Sequence, residues 1–162
     1  MEGAAFEIPN SIKQQLESIA DQKCCRQYVG SDRSLFLGFG EIVLVKHPRG
    51  LAPHGKWEIG TYRSAWRMIH NQQVICGSTD AVESVDEFRR NLARVEGAKC
   101  IRILSPTEFD VRMEFDNGII VDILGTFRDD DEVMHVFLPE SIVSFSIGKG
   151  WVAECGRGTA RA

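Results

Sequence analysis

Four histidines, His47, His54, His70 and His135, are the side chains of this 162-residue chain best suited to ligate a metal or move a proton. His47 and His54 share one segment, but a spacing of seven residues matches no standard zinc pattern, so ordinary histidines are the favoured reading and no metal or other cofactor is expected. No serine stands in a nucleophile elbow, and the sequence does not set a cysteine beside a histidine, so no catalytic residue is assigned. Gly38-Phe39-Gly40 has the look of a phosphate cradle. Such a cradle needs a helix opening after it, with backbone N–H groups aimed at the anion. A strand follows instead, and a bulge or tight bend is the better reading.

The cysteines are Cys24, Cys25, Cys76, Cys100 and Cys155, an odd number with no Cys-x-x-Cys. Adjacent cysteines rarely meet disulfide geometry without strain, so Cys24 and Cys25 read as ordinary thiols at a helix end and the set as reduced. Asp110, Glu114 and Asp122 suggest a carboxylate site, although strand register gives Asp122 a structural partner.

Two groups have interaction chemistry. Trp57, Tyr62, Arg63, Trp66 and Arg67 form the densest set of aromatic and guanidinium groups, the types enriched at interface hot spots. Read as strands, Tyr62 and Trp66 face one side and Arg63 and Arg67 the other; core tryptophans with solvated arginines are the competing reading. Asp129, Asp130, Asp131 and Glu132 form the one charge run, which could steer a basic partner or be a solvated turn.

The elements that must position these groups follow from periodicity. Pro9-Asn10-Ser11 starts a helix with the stripe Ile12, Leu16, Ile19 and Ala20, ending near Cys24. Gly30-Ser31-Asp32 marks a turn. Strands are predicted at Ser34–Gly40, Glu41–Val45, Lys56–Tyr62, Ser64–His70 and Gln73–Cys76, with a turn at Asn71-Gln72. The segment His47–Gly55, with two prolines and two glycines, reads as a long loop of the kind that carries function. Ser84 and Glu87 make a capping box for a second helix whose buried stripe is Phe88, Leu92 and Val95, ended by Gly97. Strands follow at Cys100–Leu104, Glu132–Leu138 and Ser141–Ile147.

The clearest signal is the hairpin around Asp116-Asn117-Gly118. Phe109 to Phe115 alternates apolar and charged residues, and Ile119 to Leu124 is rich in β-branched ones. A two-residue turn would set Met113 against Asp122 on the apolar face. A three-residue loop with Gly118 left-handed instead pairs Phe115 with Ile119, Met113 with Val121 and Val111 with Ile123. It also sets Arg112 opposite Asp122, an ion pair worth roughly 0.2–1 kcal/mol. Face chemistry selects this register.

Composition bounds the rest. With 43% hydrophobic residues and a net charge of −4, the chain suits a domain with a full core and lacks the basic patch of a general nucleic-acid binder. No apolar run suits a membrane helix and no signal peptide is read, so a cytoplasmic protein is expected. The fold expectation is a single α+β domain over residues 1–155 with a flexible tail at 156–162. It has two helices and a mostly antiparallel sheet, either one curved sheet or two packed ones.

Ser34-Leu-Phe-Leu-Gly-Phe-Gly40, Ser64-Ala-Trp-Arg67 with the later Gly77-Ser78, and Met113-Glu-Phe-Asp-Asn-Gly118 followed by an apolar strand resemble stretches of small bacterial α+β immunity proteins of contact-dependent or polymorphic toxin systems. The resemblance touches Ser34 to about Phe145 in short structural patches, so it carries over no catalytic role. It implies a cytosolic protein that binds and neutralises a cognate protein toxin. The expectation is therefore a non-enzymatic binding protein, with its contact on the Asp129–Glu132 turn, on the His47–Gly55 loop with His54, or on the aromatic–arginine cluster. The alternative is a small enzyme or small-molecule-binding domain whose pocket is lined by Trp57, Tyr62, Trp66 and an arginine. A third is an oligomerisation module pairing an edge strand in a homodimer.

Overall fold

The computed structural model describes residues 6–80, 85–126 and 131–155. The chain runs α1 (Asn10–Leu16), a 3-10 turn (Glu17–Ile19), β1 (Cys24–Val29), β2 (Leu35–His47), β3 (Gly50–Thr61), β4 (Ala65–His70) and β5 (Gln73–Gly77). Then come α2 (Val85–Ala93), β6 (Cys100–Leu104), β7 (Asp110–Phe115), β8 (Ile120–Leu124), β9 (Glu132–Phe137), β10 (Ser141–Ser146) and β11 (Gly150–Cys155). This is α+β with little helix. The strands form two sheets, one in the order β1-β2-β3-β9-β10-β11 and one in the order β5-β4-β8-β7-β6. All neighbouring strands are antiparallel.

Alternation explains how the sheets meet. Leu35, Leu37 and Phe39 of β2 and Ile59 of β3 point inward from the larger sheet; Val111, Met113 and Phe115 of β7 and Val121 and Ile123 of β8 point inward from the smaller. They belong to one buried cluster, in which Phe39 stacks on Phe115 with ring centroids 6.2 Å apart. The α1 stripe of Ile12 and Leu16, with Ile19 after it, enters the same core. Asn91 of α2 donates to the Ile75 carbonyl of β5, and Phe88 lies against Trp66, tying α2 to the smaller sheet.

The Asp116-Asn117-Gly118 hairpin has the predicted three-residue loop. Phe115 N–H donates to the Ile119 carbonyl, Arg112 pairs with Asp122, Met113 with Val121, and Gly118 has φ +81°. Asn71 and Gln72 both take positive φ, as a two-residue primed turn requires. Gly97 closes the region after α2 with φ +80°; Ser84 of the expected capping box lies outside the described residues, as does the tail 156–162.

Four expectations change. The first helix stops at Leu16, and its 3-10 extension at Ile19; Cys24 and Cys25 sit on an edge strand, after Asp21 breaks the chain with φ +68°. The two segments predicted at Ser34–Gly40 and Glu41–Val45 are one strand, bent where the β2–β3 register shifts between Phe39 and Ile42 at left-handed Gly40. The His47–Gly55 loop is mostly strand: only Pro48 and Arg49 turn, and Pro53 sits in the ladder opposite Leu44. Proline is tolerated there because β3 pairs with β9 only from Glu58 onward, so no partner strand asks Pro53 for an N–H. Finally, β11 adds an edge strand, turned back on β10 through Gly148-Lys149-Gly150.

Candidate functional site

The β2–β3 hairpin outgrows its sheet. β1 covers the outer edge of β2 only over Leu35–Phe39, and β9 covers β3 only over Glu58–Thr61, yet the two strands stay paired to His47 and Gly50. The segment Ile42–Gly55 is thus a two-stranded arm with both edges open. Register puts Ile42, Leu44, Leu51 and Pro53 on one face of it, and Ile42, Leu44 and Leu51 are 57%, 51% and 58% exposed. Exposed branched apolar side chains along an open ribbon are costly to keep in water unless another surface covers them. Lys46, Arg49 and Lys56 outnumber Glu41 on and beside the arm, so it is basic within a chain of net charge −4.

The opposite face of the arm carries a polar chain. The Nε2 atoms of His47 and His54 stand 2.8 Å apart, and His54 Nδ1 meets Glu58 Oε1 at 2.7 Å. Glu58 lies on the outer face of its sheet but is only 3% exposed. The row Arg26, Gly38, Glu58 across β1, β2 and β3 explains this. Glycine at 38 leaves room for Arg26 to cross: a Cβ there would stand 2.7 Å from Arg26 Cγ. The guanidinium comes to 3.6 Å from Glu58 and donates to the Pro53 carbonyl, while Gly55 N–H donates to Glu58 at 3.0 Å. The same outer face continues as an aromatic strip in which Tyr28, Phe36, His135 and Phe137 contact in sequence, with Tyr28 and Phe137 exposed.

The aromatic–arginine cluster does not assemble. Trp66 is a core residue whose indole N–H donates to the Arg33 carbonyl at 2.7 Å. Trp57 turns to Ser18 after α1, donating to its hydroxyl at 3.1 Å. Tyr62 and Arg63 stand exposed at the corner between β3 and β4, where Arg63 takes φ +57° and ends the alternation that would have aligned the group. Arg67 points into the smaller sheet's outer face, to Asp122. Of the acidic run, Asp129 and Asp130 lie outside the described residues, Asp131 is exposed, and Glu132 opens β9 with His135 Nδ1 at 2.8 Å.

Asp122 is not a free carboxylate. Arg112 grips it through Nε at 2.6 Å and Nη2 at 3.0 Å, and Arg67 adds a bond at 2.9 Å. Burial alone would raise its pKa; the two guanidinium groups outweigh burial and hold it below the usual carboxylate value. All five cysteines are free thiols, and burial pushes Cys24, Cys76 and Cys100 up to about 12, far from a nucleophilic thiolate at neutral pH. Among the described residues, no three His, Cys, Asp or Glu side chains stand together as a metal cage, and no helix is long and apolar enough to cross a membrane.

The residues that sequence reasoning missed are Ile42, Leu44 and Leu51 of the arm, and Tyr28, Phe36 and Phe137 of the strip. The local signal points the other way: the apolar run Ile42–Val45 reads as a largely buried strand, and Ile42 and Leu44 are instead exposed because β1 and β9 stop short of the arm. Comparison with protein-family models, curated proteins and solved structures returned no match to this chain.

Proposed function

We propose that this chain is a non-enzymatic protein-binding module, an immunity-type protein that captures a cognate toxin in the bacterial cytosol through its β2–β3 arm. The observation that carries this reading is the open-edged arm with exposed Ile42, Leu44 and Leu51. Such a ribbon offers two modes of recognition at once, main-chain pairing along a free edge and apolar side chains at alternate positions. Its basic flank suits a toxin surface with an apolar centre and an acidic rim. The acidic residues Asp131 and Glu132 are a secondary contact in this reading.

Co-purification from the toxin-expressing host, with mass spectrometry of what is captured, tests it. The purified toxin should be neutralised by the native chain, while Leu44→Asp should weaken capture by a hundredfold or more, since it buries an unpaired charge in the contact. Recovery of no protein partner, or full neutralisation by Leu44→Asp, overturns the proposal. Concentration-dependent dimers lost in Leu44→Asp would mean that the arm's occupant is a second copy of the chain.

One observation favours a second reading, a small-molecule-binding domain. A cleft of about 640 Å³ lies between β1 and α2, lined by Tyr28, Phe88, Arg33, Arg89 and Arg90 among others. Aromatic walls with several guanidinium groups suit a planar anion. Its lining does not include Trp57, Tyr62 or Trp66, the residues expected from the sequence. Shifts of the α2 amide resonances on titration with an aromatic carboxylate would favour it over the arm; unchanged resonances would remove it.

A further inference from the structure

We propose that the groove between the free edge of β1 and helix α2 binds an extended acidic peptide segment of a protein partner, which adds to the larger sheet as a further strand beside β1. The first ground is the edge itself. β1 ends the larger sheet, with β2 as its one neighbour in the strand order. Gly30 N–H donates to the Ser34 carbonyl across the β1–β2 turn, and alternation turns the main-chain groups of Tyr28 the same way. Those of Gln27 and Val29 therefore point out of the sheet, toward the groove. Further back the edge is closed: Cys24 N–H donates to the Ala98 carbonyl at 2.7 Å, and the Cys24 carbonyl accepts from Gly97 N–H at 2.8 Å. The stretch 26–29 that stays open is about 13 Å long at roughly 3.3 Å per residue, which suits a short extended segment.

The second ground is the facing wall and its charge. Val85, Phe88, Arg89 and Leu92 recur at the spacing of one helix face and line the cleft of about 640 Å³ opposite Gln27 and Val29. A helix standing beside an edge strand is the setting in which a peptide pairs its main chain with the strand and seats alternate side chains on the helix. Val85, 48% exposed, and the half-buried Phe88 supply the apolar seat. Arg33, Arg89 and Arg90 line the same cleft. Among the described residues its lining holds no Asp or Glu, and none of these three guanidinium groups has an ion-pair partner. In a chain of net charge −4 this is a locally cationic groove, so the segment it fits carries carboxylates beside its apolar positions. A planar anion would use the guanidinium groups and leave the outward N–H and C=O groups of Gln27 and Val29 to water; an extended peptide uses both.

The proposal rests on the protein-binding reading for its class of partner but not on the arm. Leu44→Asp should leave peptide binding intact, so failure of the groove and failure of the arm are read separately. The test is panning of a displayed random octapeptide library on the full chain, followed by NMR with the selected peptide in capped synthetic form. Peptides that alternate apolar residues and carry Asp or Glu should be enriched. The bound peptide should slow hydrogen exchange of the Gln27 and Val29 amides at least tenfold. Arg89→Glu, a change at an exposed position of α2, should weaken binding at least tenfold. Gln27→Pro removes an edge N–H that β2 does not use, a place where proline is tolerated, and should weaken binding to the same degree. Selection of no peptide, selection of basic peptides, or shifts confined to α2 with Gln27 and Val29 exchanging as before would each overturn the proposal. Slowed exchange that appears in the chain alone as its concentration rises would overturn it too, by making a second copy the occupant of the edge.

Discussion

The β7–β8 hairpin and the β2–β3 hairpin are built by the same rules and end in opposite conditions. β7–β8 lies inside its sheet, flanked by β6 and β4, with Val111, Met113, Val121 and Ile123 all buried. Even its polar face is closed: Asp122 is 3% exposed between Arg112 and Arg67. β2–β3 starts in the same way, with Leu37, Phe39 and Ile59 in the core, but runs on past its neighbours until its apolar side chains face water. The difference is neighbour count on either edge rather than strand chemistry. An apolar residue in a covered hairpin stabilises the fold; in an uncovered one it is free to serve a contact.

The sharpest way to break this contrast is to truncate an inward residue of the covered hairpin. Met113→Ala should cost about 2–5 kcal/mol, read as a lower midpoint in urea at unchanged slope. A loss below about 1 kcal/mol would mean that the hairpin is not a core element. Asp122→Ala comes next, at roughly 3 kcal/mol, because it strands two guanidinium groups beside a buried position. Their partial access to water keeps the loss at the lower end for a buried pair.

The same carboxylate gives the acid dependence. Its folded pKa is depressed, so the stability it contributes is fully present above the unfolded value near 3.8 and is lost as pH falls through the lower folded value. Unfolding free energy measured from pH 6 downward should fall more steeply below about pH 4 in the native chain than in Asp122→Asn. Parallel curves would show that the Arg112–Asp122–Arg67 cluster does not set acid stability. The smallest effect is expected on the arm. Leu44→Ser should change stability by no more than about 0.5 kcal/mol while weakening partner capture at least tenfold. A stability loss comparable to that of Met113→Ala would place the arm in the folding core and erase the contrast.

Much of the scaffold was legible because local rules were enough. The faces of Phe109–Phe115 and Ile119–Leu124 allow one sensible register, and Gly118 supplies the left-handed residue that its loop needs. The stripe of Phe88, Leu92 and Val95 and the turn at Asn71-Gln72 were read on the same basis. The candidate site was less legible. Prolines and glycines made His47–Gly55 look like a loop, and nothing local distinguishes a proline on an open edge from one in a turn. The aromatic–arginine cluster failed for the converse reason. Tyr62 and Trp66 are close in sequence, but left-handed Arg63 sends the chain from one sheet to the other.

The sequence by itself determined the strand-rich character of the chain, the β7–β8 register and the pairing of Arg112 with Asp122, because these depend on side-chain period and on residues within one hairpin. Only the tertiary structure decided that there are two sheets, that Arg67 from β4 completes the grip on Asp122, and that β2–β3 projects as an arm. It also brought Arg26, His47, His54 and Glu58 together. Each of these depends on which strands lie side by side, and strand order is settled by long-range packing of the shared core, which no local pattern encodes.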